Sequence, residues 1–164
     1  MSQTVETSRA EGTGGIRAAG IIGIVLGIVF ILVGAIAWVA VSSELRAEQI
    51  TVSDDAPFFP GAEVAGPLTA YSEAEAIRQH VLSMTDGKTY AELDRDDPLR
   101  ETAATGSYLR TSLFTSVVSF GIALFAIGVG VLAIVLSWGL LLAARRRSVV
   151  ASPGVGSVES APAP

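Results

Sequence analysis

The chain has no cysteine, one histidine (His80) and one lysine (Lys88) against ten arginines. Without cysteine neither a disulfide framework nor a thiolate metal site can form, so any segment outside the cytoplasm must hold without covalent staples. One histidine cannot supply, within a single chain, the two-His, one-carboxylate set that binds catalytic ferrous iron. No nucleophile motif surrounds His80 to suggest Ser/His/Asp chemistry, and the residue reads as a partly exposed helix histidine. Charge is also scarce. Charged residues make up 16% of the chain and hydrophobic ones 50%, whereas soluble domains run about one quarter charged. With a mean hydropathy of +0.53, this composition is that of a membrane protein. The net charge of -5 argues against nucleic acid as a partner. The preference for Arg over Lys, with abundant Ala, Gly and Val, is the bias of a GC-rich bacterial genome.

What is present is sharply segregated. Ala18 to Ser43 and Thr111 to Ala144 contain no Asp, Glu, Lys or Arg. Within the first run, Gly20 to Val41 is 22 residues, which at about 1.5 Å per residue covers the roughly 30 Å hydrocarbon layer. The run exceeds the usual signal-peptide core, so an uncleaved anchor is expected. The second run has 34 residues, longer than a crossing needs. Ser112, Thr115, Ser116 and Ser119 crowd its start, which places the embedded part near Val117 to Leu141 and lets the first turns emerge from the membrane.

Arg145, Arg146 and Arg147 follow the second run directly, and positive residues beside a span stay on the cytoplasmic side. Arg17 flanks the first run in the same sense. Both termini are therefore expected inside the plasma (inner) membrane, with Trp38 and Trp138 near the outer and inner interfaces. The segment between, residues 44–110, carries 13 acidic against 6 basic residues. The resulting division is a disordered cytoplasmic tail (1–17), a first transmembrane helix (18–43), an acidic extracytoplasmic domain (44–110), a second transmembrane helix (111–144) and a basic, then disordered, cytoplasmic tail (145–164).

Within the acidic segment, Glu48 to Val52 and Glu63 to Thr69 read as two short extended stretches joined by a Pro- and Gly-containing loop, hence a small β-hairpin. Ser72-Glu-Ala-Glu75 fits a capping box opening a helix that Asp86-Gly87 ends. Asp97-Pro98 opens a further helix whose apolar register runs into the second span. The predicted fold is thus mainly α: a two-transmembrane-helix hairpin with a small extracytoplasmic α+β domain, a short β-hairpin plus helices, inserted between the spans, and the second span extended outward as a long helix.

Gly20, Gly23, Gly27 and Gly34 share one face of the first helix, and Ala126, Gly130, Ala133 and Ser137 answer on the second. Small residues allow the close backbone approach on which helix packing in lipid depends. Such faces serve either this hairpin or a homo-oligomer or partner helix. Phe58 and Phe59, flanked by Pro57 and Pro60, either seal the domain against the helices or membrane surface or form a partner-contact patch. Glu92, Asp94, Asp96 and Asp97 form an acidic cluster without EF-hand spacing, read as solvated surface. No cofactor and no metal site is expected. Neither span holds an ionisable residue, which disfavours a single-chain proton or ion pathway.

Three runs carry a resemblance: Trp38 to Gly61, Asp86 to Asp94, and Leu109 to Val118. They resemble a family of small two-span actinobacterial membrane proteins, often labelled aromatic ring-opening dioxygenase, over roughly Gly20 to Trp138. What the resemblance implies is a two-helix envelope protein; the label would imply ring cleavage, for which no catalytic residue can be carried over. The expected role is that of a non-enzymatic accessory or scaffolding partner of a larger membrane or envelope assembly, in contact with lipid and with a membrane protein or further copies of itself. An oligomeric pore or transport accessory, and the dioxygenase, are the alternatives.

Overall fold

The computed structural model describes residues 4–150, with side chains described over 14–145. It consists of three helices: α1 (Thr4–Ala47), α2 (Pro67–Met84) and α3 (Arg100–Val150). The expected tail over 151–164 and the side chains of Arg146 and Arg147 lie outside the described residues. α1 is helical from Thr4, so residues 4–17 of the tail expected over 1–17 lie within this helix.

Two stretches, Gly14–Ala47 and Arg100–Arg145, are long and apolar enough to cross a membrane, and 11% and 17% of their most apolar windows are buried. A core helix of a water-soluble domain hides most of such a window. Here Ile36 is 68% and Phe125 72% exposed, surface that water would penalise by about 25 cal/mol per Å².

The chain divides into two compact units, residues 1–29 with 130–164 and residues 30–129. In the first, glycines of α1 stand where α3 comes closest. A Cβ on Gly27 would lie 2.6 Å from the Gly130 carbonyl oxygen, one on Gly20 would lie 2.7 Å from the Leu141 side chain, and one on Gly23 would overlap the Ser137 hydroxyl. Ser137 is buried, whereas Ala133 is half-buried and not among the atoms nearest these glycines.

In the second unit, Gly34 faces the Ala123 carbonyl oxygen and Ile127 in the same manner. Ala126 is half-buried beside this seam. Trp38 meets Phe120 edge-on at 4.7 Å between ring centroids. Leu45, Val52, Val64, Ala70, Ala74 and Leu113 continue the core around Phe120. α2 lies on α3 where Gly106 leaves room for Val81.

The expected β-hairpin, and with it the α+β domain, is not formed. Among the described residues there is no strand, and a single antiparallel bridge joins Thr51 and Glu63. The reason is local. Gln49 takes a left-handed φ of 53° just before the bridge, a conformation that ends an extended run. On the other side Pro67 stands at the first position of α2, where its fixed φ and missing N-H suit a helix start. Val64 N-H still bonds to Ile50 O and Val52 N-H to Ala62 O, but the pairing has no room to extend.

α2 also begins earlier than the Ser72 capping box predicts. Gly66 is the N-cap, and Thr69 Oγ1 accepts from the Gly66 and Ala65 N-H groups at 3.2 Å each. Ser72 and Glu73 are therefore interior helix residues, both buried. At the far end, Asp86 and Gly87 are left-handed, and Gly87 N-H caps Leu82 O. At the start of α3, Asp97 Oδ1 accepts from Leu99 N-H at 2.8 Å.

Candidate functional site: a braced aromatic loop

Residues 53–61 leave the bridge and return to it, and their side chains and backbone are fastened to α2 at three points. Glu73 accepts from Ser53 N-H at 2.7 Å and from Ser53 Oγ at 3.1 Å. One turn of the same helix contributes Ser72, whose hydroxyl donates to Phe58 O. Further along, His80 Nε2 lies 2.7 Å from Asp55 Oδ2. That contact holds the Asp55 carboxyl below its ordinary range, against a weaker desolvation effect in the other direction. Because the folded value is depressed, this contribution to stability is present above the unfolded Asp value and is lost as pH falls through the folded one.

The loop closes by Gly61 N-H bonding to Val52 O at 2.8 Å and Ala62 N-H to Phe59 O at 3.1 Å. Below it lie Val52, Ala56 and Val64, all buried. Above it, Phe58 is 60% and Phe59 49% exposed. Roughly half of each of these residues is left uncovered by the rest of the chain. Phe59 holds a φ of +55°, a left-handed conformation that costs a residue with a Cβ roughly 1–2 kcal/mol.

The acidic residues singled out by sequence are engaged locally. Glu92 accepts from the backbone and hydroxyl of Thr89, which holds its carboxyl below the usual range. Asp97 is occupied as a cap. Among the described residues no three His, Asp or Glu side chains converge to hold a metal ion. No family model, curated protein or solved structure matches this chain.

Of the other residues singled out by sequence, Arg17 and Arg145 are exposed, Trp138 is 63% exposed and Trp38 is half-buried against Phe120. Sequence reasoning missed Glu73 and Arg110. A glutamate on an amphipathic helix carries no signal that it will turn inward, since its partner Ser53 is 20 positions away. Arg110, at the head of an uncharged run, has no recognisable motif around it.

Proposed function

We propose that this is a non-enzymatic integral membrane protein in which α1 crosses lipid over Gly20–Val41 and α3 over Val117–Leu141. Both termini are cytoplasmic, residues 44–110 lie outside, and the chain serves as an accessory or scaffolding partner of a larger membrane or envelope assembly. Supporting the crossing are the exposed apolar faces of both helices; supporting the orientation is the arginine triplet after the second run. The resemblance to small two-helix envelope proteins agrees with this reading.

The observation that carries the partner role is the pair Phe58 and Phe59, displayed outward by a loop that three side chains of α2 hold in place. A Phe ring buries about 150–250 Å² when it enters a pocket. A loop already fixed in its binding shape also spares the ordering cost that a floppy one meets on association.

Two experiments test the reading. Cysteines introduced in whole cells at Asp96, an exposed position, and at Ser157 should differ in reaction with a membrane-impermeant maleimide. Asp96→Cys should label and Ser157→Cys should not; the reverse pattern refutes the orientation. Separately, a photo-crosslinking amino acid at Phe59 in intact cells should trap a discrete protein adduct that the same probe at exposed Glu101 does not. Adducts to lipid alone, or equal adducts at both positions, would exclude the partner role.

A further inference from the structure

Below the junction of α2 and α3, an open groove of about 570 Å³ runs along α3 from Ser107 to Ile122, with Arg110 at its upper end. Arg110 Nε is buried and has no hydrogen-bond partner, an unusual state for a charged donor, which normally recruits an acceptor when desolvated. The nearby carboxylate is Glu75, and it is committed elsewhere. Arg78 Nε donates to both of its oxygens at 3.0 Å and Gln79 Nε2 donates at 3.0 Å. The Glu75 carboxyl is held below its usual range chiefly by Arg78, with the field of Arg110 a smaller influence. The charges facing this spot, Arg78, Glu75 and Arg110, leave one positive charge in a segment that is otherwise strongly acidic.

The groove below the guanidinium is apolar in character despite its hydroxyls. Thr111, Thr115 and Ser119 each donate at 2.8 Å to the backbone carbonyl four residues earlier, so their hydroxyl protons need no outside partner. Phe114, Val118 and Ile122 complete the walls. Arg110 is the last charged residue before the uncharged run, about two turns of helix, or roughly 10 Å, outside the crossing that begins near Val117, a distance that a long arginine side chain reaching toward the membrane largely spans. From Val117 to Ile122 the helix rises about 8 Å, about half of one leaflet of a roughly 30 Å hydrocarbon layer.

We propose that this groove is a binding site for a single anionic phospholipid, whose phosphate is held by Arg110 and whose acyl chain lies along Phe114, Val118 and Ile122. The inference rests on the membrane reading given above. A cation at the mouth and an apolar wall that enters the hydrocarbon beneath it match the two halves of such a molecule, and a phosphate oxygen offers the guanidinium of half-buried Arg110 a charge-assisted acceptor.

The full chain in phosphatidylcholine nanodiscs, doped with a phosphatidylglycerol carrying a diazirine in its acyl chain, tests this directly. Adducts should map to Phe114, Val118 and Ile122, and unlabelled phosphatidylglycerol should compete them away while phosphatidylcholine and inorganic phosphate do not. Arg110→Gln should weaken that competition about tenfold, the loss expected for one charge-assisted bond; Arg95→Gln should leave it unchanged. Val118→Trp, which fills the groove without touching Arg110, should have the same effect as Arg110→Gln and covers the case in which the latter fails to fold. Labelling that is insensitive to both variants means ordinary annular lipid and overturns the site. Displacement by inorganic phosphate means a free-anion site and overturns it too. A diazirine phosphatidylcholine that fails to label exposed α1 residues such as Ile21 and Ile36 sinks the membrane reading and the site together, whereas labelling there without Arg110 dependence sinks the site alone.

Discussion

Gly27→Leu is expected to lower the thermal midpoint of the purified chain in mild detergent by roughly 5–10 °C, the outcome of about 2–3 kcal/mol of overpacking in a protein of this size. The reason is the identity of the atom that the new side chain meets. A Cβ at this position would lie 2.6 Å from the backbone oxygen of Gly130 and 2.7 Å from Ile134 Cγ1. A carbonyl oxygen in the middle of a helix cannot turn aside, so relief requires α1 to retreat. Retreat forfeits the van der Waals contact that is the main attraction between helices in lipid. Gly23 presents a milder case, since its close neighbour is the Ser137 hydroxyl, a rotor that can swing away, and Gly23→Ala should cost less than Gly27→Ala. Gly128→Leu is the control: nothing lies within 4 Å of its Cβ position, and the same change of residue there should leave the midpoint unmoved. Equal midpoints for Gly27→Leu and Gly128→Leu would refute the packing argument.

Glu73→Ala should release the aromatic loop. Glu73 is 7% exposed and is the acceptor for both donors of Ser53. Truncation leaves a backbone N-H and a hydroxyl without an acceptor in a partly buried place. At about 2–3 kcal/mol for such an orphaned pair, the population with the loop detached rises roughly 30- to 150-fold. Limited chymotrypsin digestion reads this directly, because the Phe58–Phe59 bond is a cleavage site that the closed loop protects by holding its backbone in turns, whereas the bond after Phe59 precedes Pro60 and is not cut. Glu73→Gln keeps one acceptor oxygen and should be cut at an intermediate rate. Ser72→Ala removes the tie to Phe58 O and should resemble the milder variant. Digestion of Glu73→Ala at the wild-type rate would show that α2 does not brace the loop.

How much of this was legible in the sequence depends on the range of the interactions involved. The two long helices are announced by composition alone, because any apolar run of that length needs an apolar surrounding and no partner need be known. The aromatic pair is likewise visible, since prolines on both sides forbid a helix or an inner strand. The start of α2 was misplaced because Ser72 and Glu75 have the spacing of a capping box, while the real start, Gly66-Pro67, was absorbed into a supposed strand. Two extended-looking segments gave one bridge, since each is cut short by its neighbours at Gln49 and Pro67. Of the small-residue stripe Ala126, Gly130, Ala133, Ser137, only Gly130 and Ser137 are buried. The buried positions Ala123, Gly130, Ser137 and Ala144 recur every seven residues, as do Gly20, Gly27 and Gly34, the period that keeps one seam facing a partner helix. The brace from Glu73 could not be read at all, because it joins residues whose proximity exists only after the loop has folded back.

The left-handed backbone at Phe59 bears on which residue suits the position. Glycine would adopt that conformation without the Cβ penalty, but it would forfeit the half of the side chain that the fold covers. A bulky ring there carries backbone strain while leaving about half of its surface outside the interior. The position is therefore a compromise in which a side chain that half belongs to the fold also keeps a ring edge at the surface, and Phe59→Gly trades relief of strain against lost burial.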